Sequence, residues 1–89
     1  MSSPVIIPYQ SFVQIDRTSA TAVYLQITHQ LINAIQRGYL NAGTKLPGTR
    51  MLSEILEVHR KTIVAVYEEL DAQGWVETRP NKGTFVLRK

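Results

Sequence analysis

The fold is decided by residues 46–86, which read LPGTRMLSEILEVHRKTIVAVYEELDAQGWVETRPNKGTFV. Apolar spacing in this stretch predicts two helices, over residues 49–56 and 60–73, with only three residues between them. In the second helix the apolar residues follow i, i+3, i+4 and i+7 spacing, namely Ile63, Val66, Tyr67 and Leu70. Two short β-type runs follow at residues 75–79 and 84–87, and the turn-forming residues between them predict a hairpin.

Upstream of this stretch, residues 22–37 predict a longer amphipathic helix. Its apolar face consists of Tyr24, Ile27, Leu31, Ala34 and Ile35. Thr21 is expected to cap the start of this helix, and Gly38 is expected to end it. The next residues, 39–47, are expected to form a connector with at most a short extended piece around Lys45 and Leu46.

Composition limits what the chain can do. With 89 residues, 44% of them apolar, it fits one small domain with a limited core, which argues against a large enzyme cleft. The absence of cysteine excludes disulfides and thiolate metal sites and favours a cytoplasmic location. No apolar run approaches the roughly 18 residues of a membrane span, so no membrane partner is expected. His29 and His59 lack metal-ligand spacing with carboxylates, and no Ser, His and Asp arrangement indicates catalysis, so we expect no enzyme.

The net charge of +3 is small, but the cations are unevenly placed. Residues 22–36 carry no charge, whereas basic residues fall in or beside the later elements: Lys45, Arg50, Arg60, Lys61, Arg79 and Lys82. Taken alone, this pattern fits an anion-binding surface and an ordinary solvated surface equally well. The order of the elements is what favours a DNA-binding surface.

A helix-turn-helix presents the first residues of its second helix to base edges in the major groove of DNA. Arg60 opens the second helix here, and its planar fork can donate two hydrogen bonds to guanine O6 and N7, a pairing worth roughly 1–3 kcal/mol of discrimination. Lys61 and Thr62 suit phosphate, and the methyls of Val64 can touch a thymine methyl. For His59, three roles stay open: a poor helix cap, a DNA contact, or neither.

The other predicted contacts lie at the start of the 49–56 helix and at the hairpin tip. Arg50 projects from a helix N-terminus, where backbone N–H groups and the dipole favour a phosphate. Lys82 lies at the tip beside Gly83, whose missing side chain allows close approach to a groove or phosphate, as in the wing of a winged helix. The predicted fold is therefore mainly α with a small β-hairpin, a winged helix-turn-helix with three helices and a two-stranded wing. The predicted DNA-binding residues are Thr49, Arg50, His59, Arg60, Lys61, Thr62, Lys82 and Gly83.

Residues 22–87 resemble the N-terminal winged-helix domain of GntR-family bacterial transcription regulators. The residues that carry the resemblance fall in family order: Tyr24, Gln26, Gly38, Leu40, Gly43, Leu46, Pro47, Arg50, Arg60, Thr62, Gly74 and Gly83 to Val86. The segments QIDRTSATAVYLQI and HRKTIVAVYEEL are similar to the MocR subgroup in particular. The resemblance implies that Arg50, Arg60 and Thr62 contact the operator, with Lys61 alongside and Lys82 and Gly83 in the wing.

Three residues depart from the pattern of the family that the chain resembles. Gly48 stands where Ser is often found, which weakens the cap of the 49–56 helix. Glu57 stands where Gly is common, and a left-handed backbone at that position costs about 1 kcal/mol for a residue with a side chain. Val64 stands where some members carry Arg, so one contact found in relatives is expected to be missing.

The resemblance also implies a domain organisation and partners. Residues 1–21 are expected to form a loose arm or a short strand, residues 22–87 the DNA-binding domain, and residues 88–89 the start of a linker to an effector-binding, dimerising domain. In the MocR subgroup that further domain is of aminotransferase type and binds pyridoxal phosphate, so no cofactor is expected within these residues. The expected partners are double-stranded operator DNA and, in the full-length regulator, a second copy of the chain. The alternative is a protein-binding module whose surface is lined by Gln26, Gln30, Asn33 and Gln36.

Overall fold

Residues 7–87 are described by the computed structural model of this chain. In chain order they form α1 (Tyr9–Phe12), α2 (Val23–Gln36), α3 (Thr49–Leu56), α4 (Arg60–Ala72), β1 (Val76–Arg79) and β2 (Gly83–Val86). The predicted fold class is confirmed, since helices dominate and β1 pairs with β2 in an antiparallel two-stranded wing. α1 is an additional short helix that the sequence did not predict.

The three predicted helices correspond to α2, α3 and α4. α3 has the predicted bounds, and α2 and α4 differ from theirs only at the ends. Gly38 follows α2 with a φ of 82°, a left-handed conformation that glycine adopts without a steric penalty. The predicted Thr21 cap is wrong, because Ala22 is the N-cap of α2 and no side chain caps this helix. Between residues 7 and 87, no helix has both the length and the apolar character needed to cross a membrane.

The core lies between α2 and α4. Ile27 and Leu31 of α2 join Ile63 and Leu70 of α4 in one apolar cluster, and each of these side chains is at most 1% exposed. Full burial of a side chain of this size contributes roughly 1.5–3 kcal/mol. α4 also packs against α3 through this cluster, which includes Leu52, so the core sets the position of one helix of the pair against the other.

The segment before α2 is packed rather than loose. Tyr9 and Val13 are each only 5% exposed and belong to the core cluster, and the ring of Phe12 stacks on Tyr39 at 5.7 Å. The sequence predicted a loose arm or a short strand here, and in the described part of this segment the chain instead forms α1 followed by backbone without regular secondary structure. We call residues 7–18 the N-terminal strap.

The wing is tied to the connector that precedes α3. Val76 pairs with Val86 and Arg79 pairs with Gly83 at the two ends of the hairpin. Lys45 forms an isolated antiparallel bridge with Phe85, and the Leu46 N–H donates to the Thr84 carbonyl at 2.8 Å. The predicted extended piece around Lys45 is therefore confirmed, and it holds the base of the wing close to the start of α3.

Candidate nucleic-acid interface

The turn between α3 and α4 has a left-handed residue at its centre. Glu57 has φ 57° and ψ 49°, and the Val58 N–H donates to the Ser53 carbonyl at 3.0 Å, which is the Schellman pattern of a helix end. Glycine is the usual residue here, so Glu57 destabilises the turn by roughly 1 kcal/mol. Arg17 of the N-terminal strap donates a hydrogen bond to the Glu57 carbonyl oxygen at 2.9 Å. A residue distant in sequence thus supports the turn from outside.

Arg60 is exposed as the first residue of α4 and is held in a defined direction. Its Nε donates a hydrogen bond to the hydroxyl of Thr49, the first residue of α3, at 3.1 Å. Among the described residues, neither terminal nitrogen of the guanidinium makes a hydrogen bond, and these two nitrogens are the pair that can donate to guanine O6 and N7. Holding Arg60 through Nε reduces the side-chain entropy that would be lost on binding.

The other predicted contacts on the helix pair differ in their environment. The Arg50 side chain is 85% exposed and lies 3.8 Å from the Glu54 carboxylate one turn later, a weak surface ion pair that a phosphate can replace. Lys61 is exposed, whereas Thr62 is half-buried. His59 is the N-cap of α4 and its side chain makes no capping hydrogen bond, so the capping role is excluded.

The wing tip is a tight turn. Pro80 is followed by Asn81 with a φ of 63°, and the Lys82 N–H donates to the Arg79 carbonyl at 3.0 Å, a pattern typical of a type II turn. This turn leaves the Lys82 side chain exposed at the tip. Arg79 is less available, because it pairs with Glu77 at 2.8 Å and lies over the Phe85 ring.

Gly83 is required by the wing itself. Its φ is 121°, and a Cβ placed on it would lie 2.7 Å from Cε of Lys45. The stem of Lys45 therefore passes close to the wing backbone at Gly83. Because this flexible stem can shift, the positive φ is the main reason for glycine at this position. Gly83 therefore has a structural role in the wing in addition to its predicted role of close approach to DNA.

A shallow groove separates the wing from the start of α3. It is lined by Thr49 at the start of α3, by Lys82 and Gly83 of the wing, and by Lys45. A second depression, at the start of α4, is lined by His59, Thr62, Glu57, Val58, Val23 and Arg17. The predicted site residues thus lie around the helix pair and the wing, while in the described part of the chain no side-chain hydrogen bond or ion pair links Arg50 or Lys61 to another predicted residue.

Two cations near the site were not among the predicted contacts. Lys45 appeared in the sequence only as one of several basic residues, and its place under the wing depends on the Phe85 bridge. Arg17 lies in the segment QIDRTSATAVYLQI, which carries part of the resemblance to the MocR subgroup, and no role was predicted for this arginine.

The loop before α3 is fixed by a buried tyrosine. The Tyr67 hydroxyl of α4 donates a 2.6 Å hydrogen bond to the Pro47 carbonyl. Burial, with a smaller contribution from Tyr9, raises the pKa of the Tyr67 phenol far above its ordinary value of 10.0, so the group stays neutral and keeps its donor. In the described residues, no group of three or more His, Cys, Asp or Glu side chains could hold a metal ion.

The polar face of α2 does not form the open surface that the alternative requires. In Gln26 and in Gln30, both Oε1 and Nε2 are hydrogen-bonded to the backbone of the N-terminal strap. Asn33 accepts a hydrogen bond from Arg37. Two of the four residues assigned to a protein-binding surface are therefore occupied within the chain.

Comparison with known proteins agrees with this geometry. Residues 23–86 match the family described as bacterial regulatory proteins, gntR family. The chain is 39% identical over 72 residues to the probable rhizopine catabolism regulatory protein MocR of Rhizobium meliloti, covering 81% of this chain and 15% of that protein. Across eight curated regulators the chain spans between 15% and 65% of the regulator's length.

Two solved structures are similar over most of the chain. YtrA of Sulfolobus acidocaldarius, a GntR-family transcription factor, superposes with a TM-score of 0.83 at 32% identity, covering 88% of this chain and 82% of that one. The AraR DNA-binding domain in complex with operator ORE1 has a TM-score of 0.68 at 27% identity, covering 82% of this chain and 92% of that one.

Proposed function

Because this chain belongs to the GntR family of bacterial regulatory proteins, we propose that it reads double-stranded operator DNA with α4 in the major groove and the wing on the adjacent groove or backbone. By family and fold it is a DNA-binding winged-helix domain. The operator complex of the similar AraR domain supports the proposed partner.

The arrangement of Arg60 is the observation that carries this proposal. Arg60 is exposed at the first position of α4, and its Nε is hydrogen-bonded to Thr49. Its two terminal nitrogens make no hydrogen bond within residues 7–87. A side chain held in this way suits recognition of a guanine better than a general attraction to phosphate, because a bidentate pair depends on direction.

The other predicted residues are proposed to bind the DNA backbone. Arg50, Lys61 and Lys82 are exposed cations that can neutralise phosphates, and the hydroxyls of Thr49 and Thr62 can donate to phosphate oxygens. His59 is proposed as a further contact from the end of the turn, and the Gly83 backbone as the point of closest approach in the wing. Such contacts fix the position of α4 on the duplex without reading its sequence.

The full-length regulator is proposed to bind DNA as a dimer. We propose that it binds as a homodimer to two half-sites, whereas residues 1–89 alone occupy one half-site weakly. We assign no catalytic role to this segment. The pyridoxal-phosphate domain implied by resemblance to the MocR subgroup stays a prediction, because the chain spans only 15% of the MocR protein.

Selection of bound sites from a random duplex pool is the experiment that tests this function. The 89-residue chain should enrich one short motif that contains a guanine, and binding to random duplex should weaken steeply as salt rises, because bound cations release counterions. A protein-binding module without DNA affinity would enrich nothing and show no salt dependence.

A further inference from the structure

The N-terminal strap is clasped by two glutamine side chains of α2. The backbone of Gln14 donates to Oε1 of Gln30 at 2.7 Å, and Nε2 of Gln30 donates back to the Gln14 carbonyl at 2.8 Å. Gln26 does the same with Asp16, at 2.8 Å and 2.9 Å. Each side-chain amide satisfies both the donor and the acceptor of one strap residue, as a neighbouring β-strand would. The strap is thus fixed at two points, one helical turn apart on α2.

The strap then turns sharply, and this turn directs Arg17. Oδ1 of Asp16 accepts hydrogen bonds from the Thr18 N–H at 2.9 Å and the Thr18 hydroxyl at 2.6 Å, and these bonds lower the pKa of the Asp16 carboxyl. Thr18 thus engages Oδ1 of Asp16, and Arg17 extends to the Glu57 carbonyl at 2.9 Å. In the described residues, the ion pairs within 4 Å do not include Arg17.

The Glu57 carbonyl is a sensitive point of the helix pair. It follows the last turn of α3, where carbonyl oxygens have no partner within the helix, and its residue holds a left-handed backbone that disfavours any side chain. Only three positions later stands Arg60. A shift in this turn would change the direction in which α4 presents its first residues.

We infer that Arg17 is a positioning residue for DNA reading: through its hydrogen bond to the Glu57 carbonyl, the N-terminal strap holds the α3–α4 turn so that Arg60 meets the base edge. This inference rests on the proposed function. Arg17 also lines the depression beside His59 and Thr62, so its rival role is a direct phosphate contact. The two roles differ in their salt dependence, because only a phosphate contact releases counterions.

Fluorescence anisotropy with the selected half-site and with random duplex, over a range of salt, separates these roles. Arg17→Ala should lower the ratio of specific to random affinity by roughly three- to thirtyfold while the salt slope of specific binding stays at the wild-type value. Arg17→Lys should restore most of the ratio, because an ammonium can donate to the same carbonyl. Arg37→Ala is the matched control, since it removes the same charge from an exposed arginine that bonds to Asn33 on α2, and it should leave the ratio unchanged.

The test is completed by two further variants, Glu57→Gly alone and Glu57→Gly combined with Arg17→Ala. In a Glu57→Gly background the left-handed strain is gone, so Arg17→Ala should lower the ratio much less than it does in the wild-type background. Thermal unfolding of each variant shows whether it is folded at the assay temperature. An unchanged ratio in Arg17→Ala, a salt slope reduced by about one unit, or an equal loss in both backgrounds would overturn the inference. If the wild type itself fails to prefer the selected site, the proposed function fails instead, which keeps the two failures apart.

Discussion

Nε of Arg60 lies 3.1 Å from the hydroxyl oxygen of Thr49, so the first residue of α4 is hydrogen-bonded to the first residue of α3. The two helices of the pair therefore share a contact at their exposed ends, beyond the buried contacts that Leu52 and Ile63 make in the core. Because this bond uses Nε rather than the terminal nitrogens, it links the packing of the helix pair to the direction of the proposed base reader.

Replacing Thr49 by valine should weaken binding to the selected half-site. Valine has nearly the shape of threonine but cannot accept the Arg60 hydrogen bond, so Arg60 loses its orientation at a cost of about 1 kcal/mol. Thr49→Ser keeps a hydroxyl and serves as the control. Isothermal titration compares both variants on the half-site and on the same duplex with the guanine pair replaced. Equal affinities for the serine and valine variants, or an equal loss by the valine variant on both duplexes, would count against an orienting role for Thr49.

Lys82→Ala should weaken binding to every duplex by a similar factor. Lys82 is exposed at the wing tip and is proposed to contact phosphate, so its loss should flatten the salt slope by about one unit without changing base preference. Anisotropy titrations of specific and random duplex at several salt concentrations measure both quantities. A change confined to the specific duplex would show that Lys82 reads sequence rather than charge.

Gly83→Ala should destabilise the fold. At a φ of 121° a side chain is strained, and the new Cβ would lie 2.7 Å from Cε of Lys45, so we expect a loss of about 1–3 kcal/mol in the free energy of unfolding. Gly48→Ala is the control, because its φ is −60° and a Cβ there meets no atom within 4 Å. Urea unfolding compares the two, and similar stabilities for both variants would contradict the described wing.

Alkaline pH should destabilise the protein through Tyr67. Its folded pKa is raised, so the stabilisation is fully present below the unfolded value of 10.0 and is lost as pH rises from there towards the folded pKa. The free energy of unfolding should fall by about 1.4 kcal/mol per pH unit above 10 from this group. Urea unfolding between pH 8 and 11 should show a shallower decline in Tyr67→Phe than in the wild type, and parallel curves would mean that Tyr67 ionises equally in both states.

Much of the fold could be predicted from the sequence because its signals are local. The helical spacing of Ile63, Val66, Tyr67 and Leu70 predicts α4, and the turn residues 80–83 predict the wing hairpin. Such signals depend on neighbours within about one helical turn.

The strap could not be predicted in the same way. α1 has only four residues, and what holds the following backbone is a set of bonds to Gln26 and Gln30, which stand 10 and 16 residues away in the chain. Glutamines on a helix usually face solvent, so their presence carries no signal of such a clasp. The Arg60–Thr49 bond likewise spans 11 residues across a turn, and spacing alone predicted both residues at the interface without predicting that they touch.

Arg60 is proposed to read a guanine from the start of α4, and a cycle of one protein change and one base change measures this contact. Affinities are measured for wild type and Arg60→Ala, each with the selected half-site and with the same duplex in which the guanine pair is replaced. The wild type should lose about 1–3 kcal/mol on the base change, and Arg60→Ala should bind both duplexes equally. If Arg60→Ala loses as much as the wild type when the guanine is replaced, Arg60 does not read that base and the account is contradicted.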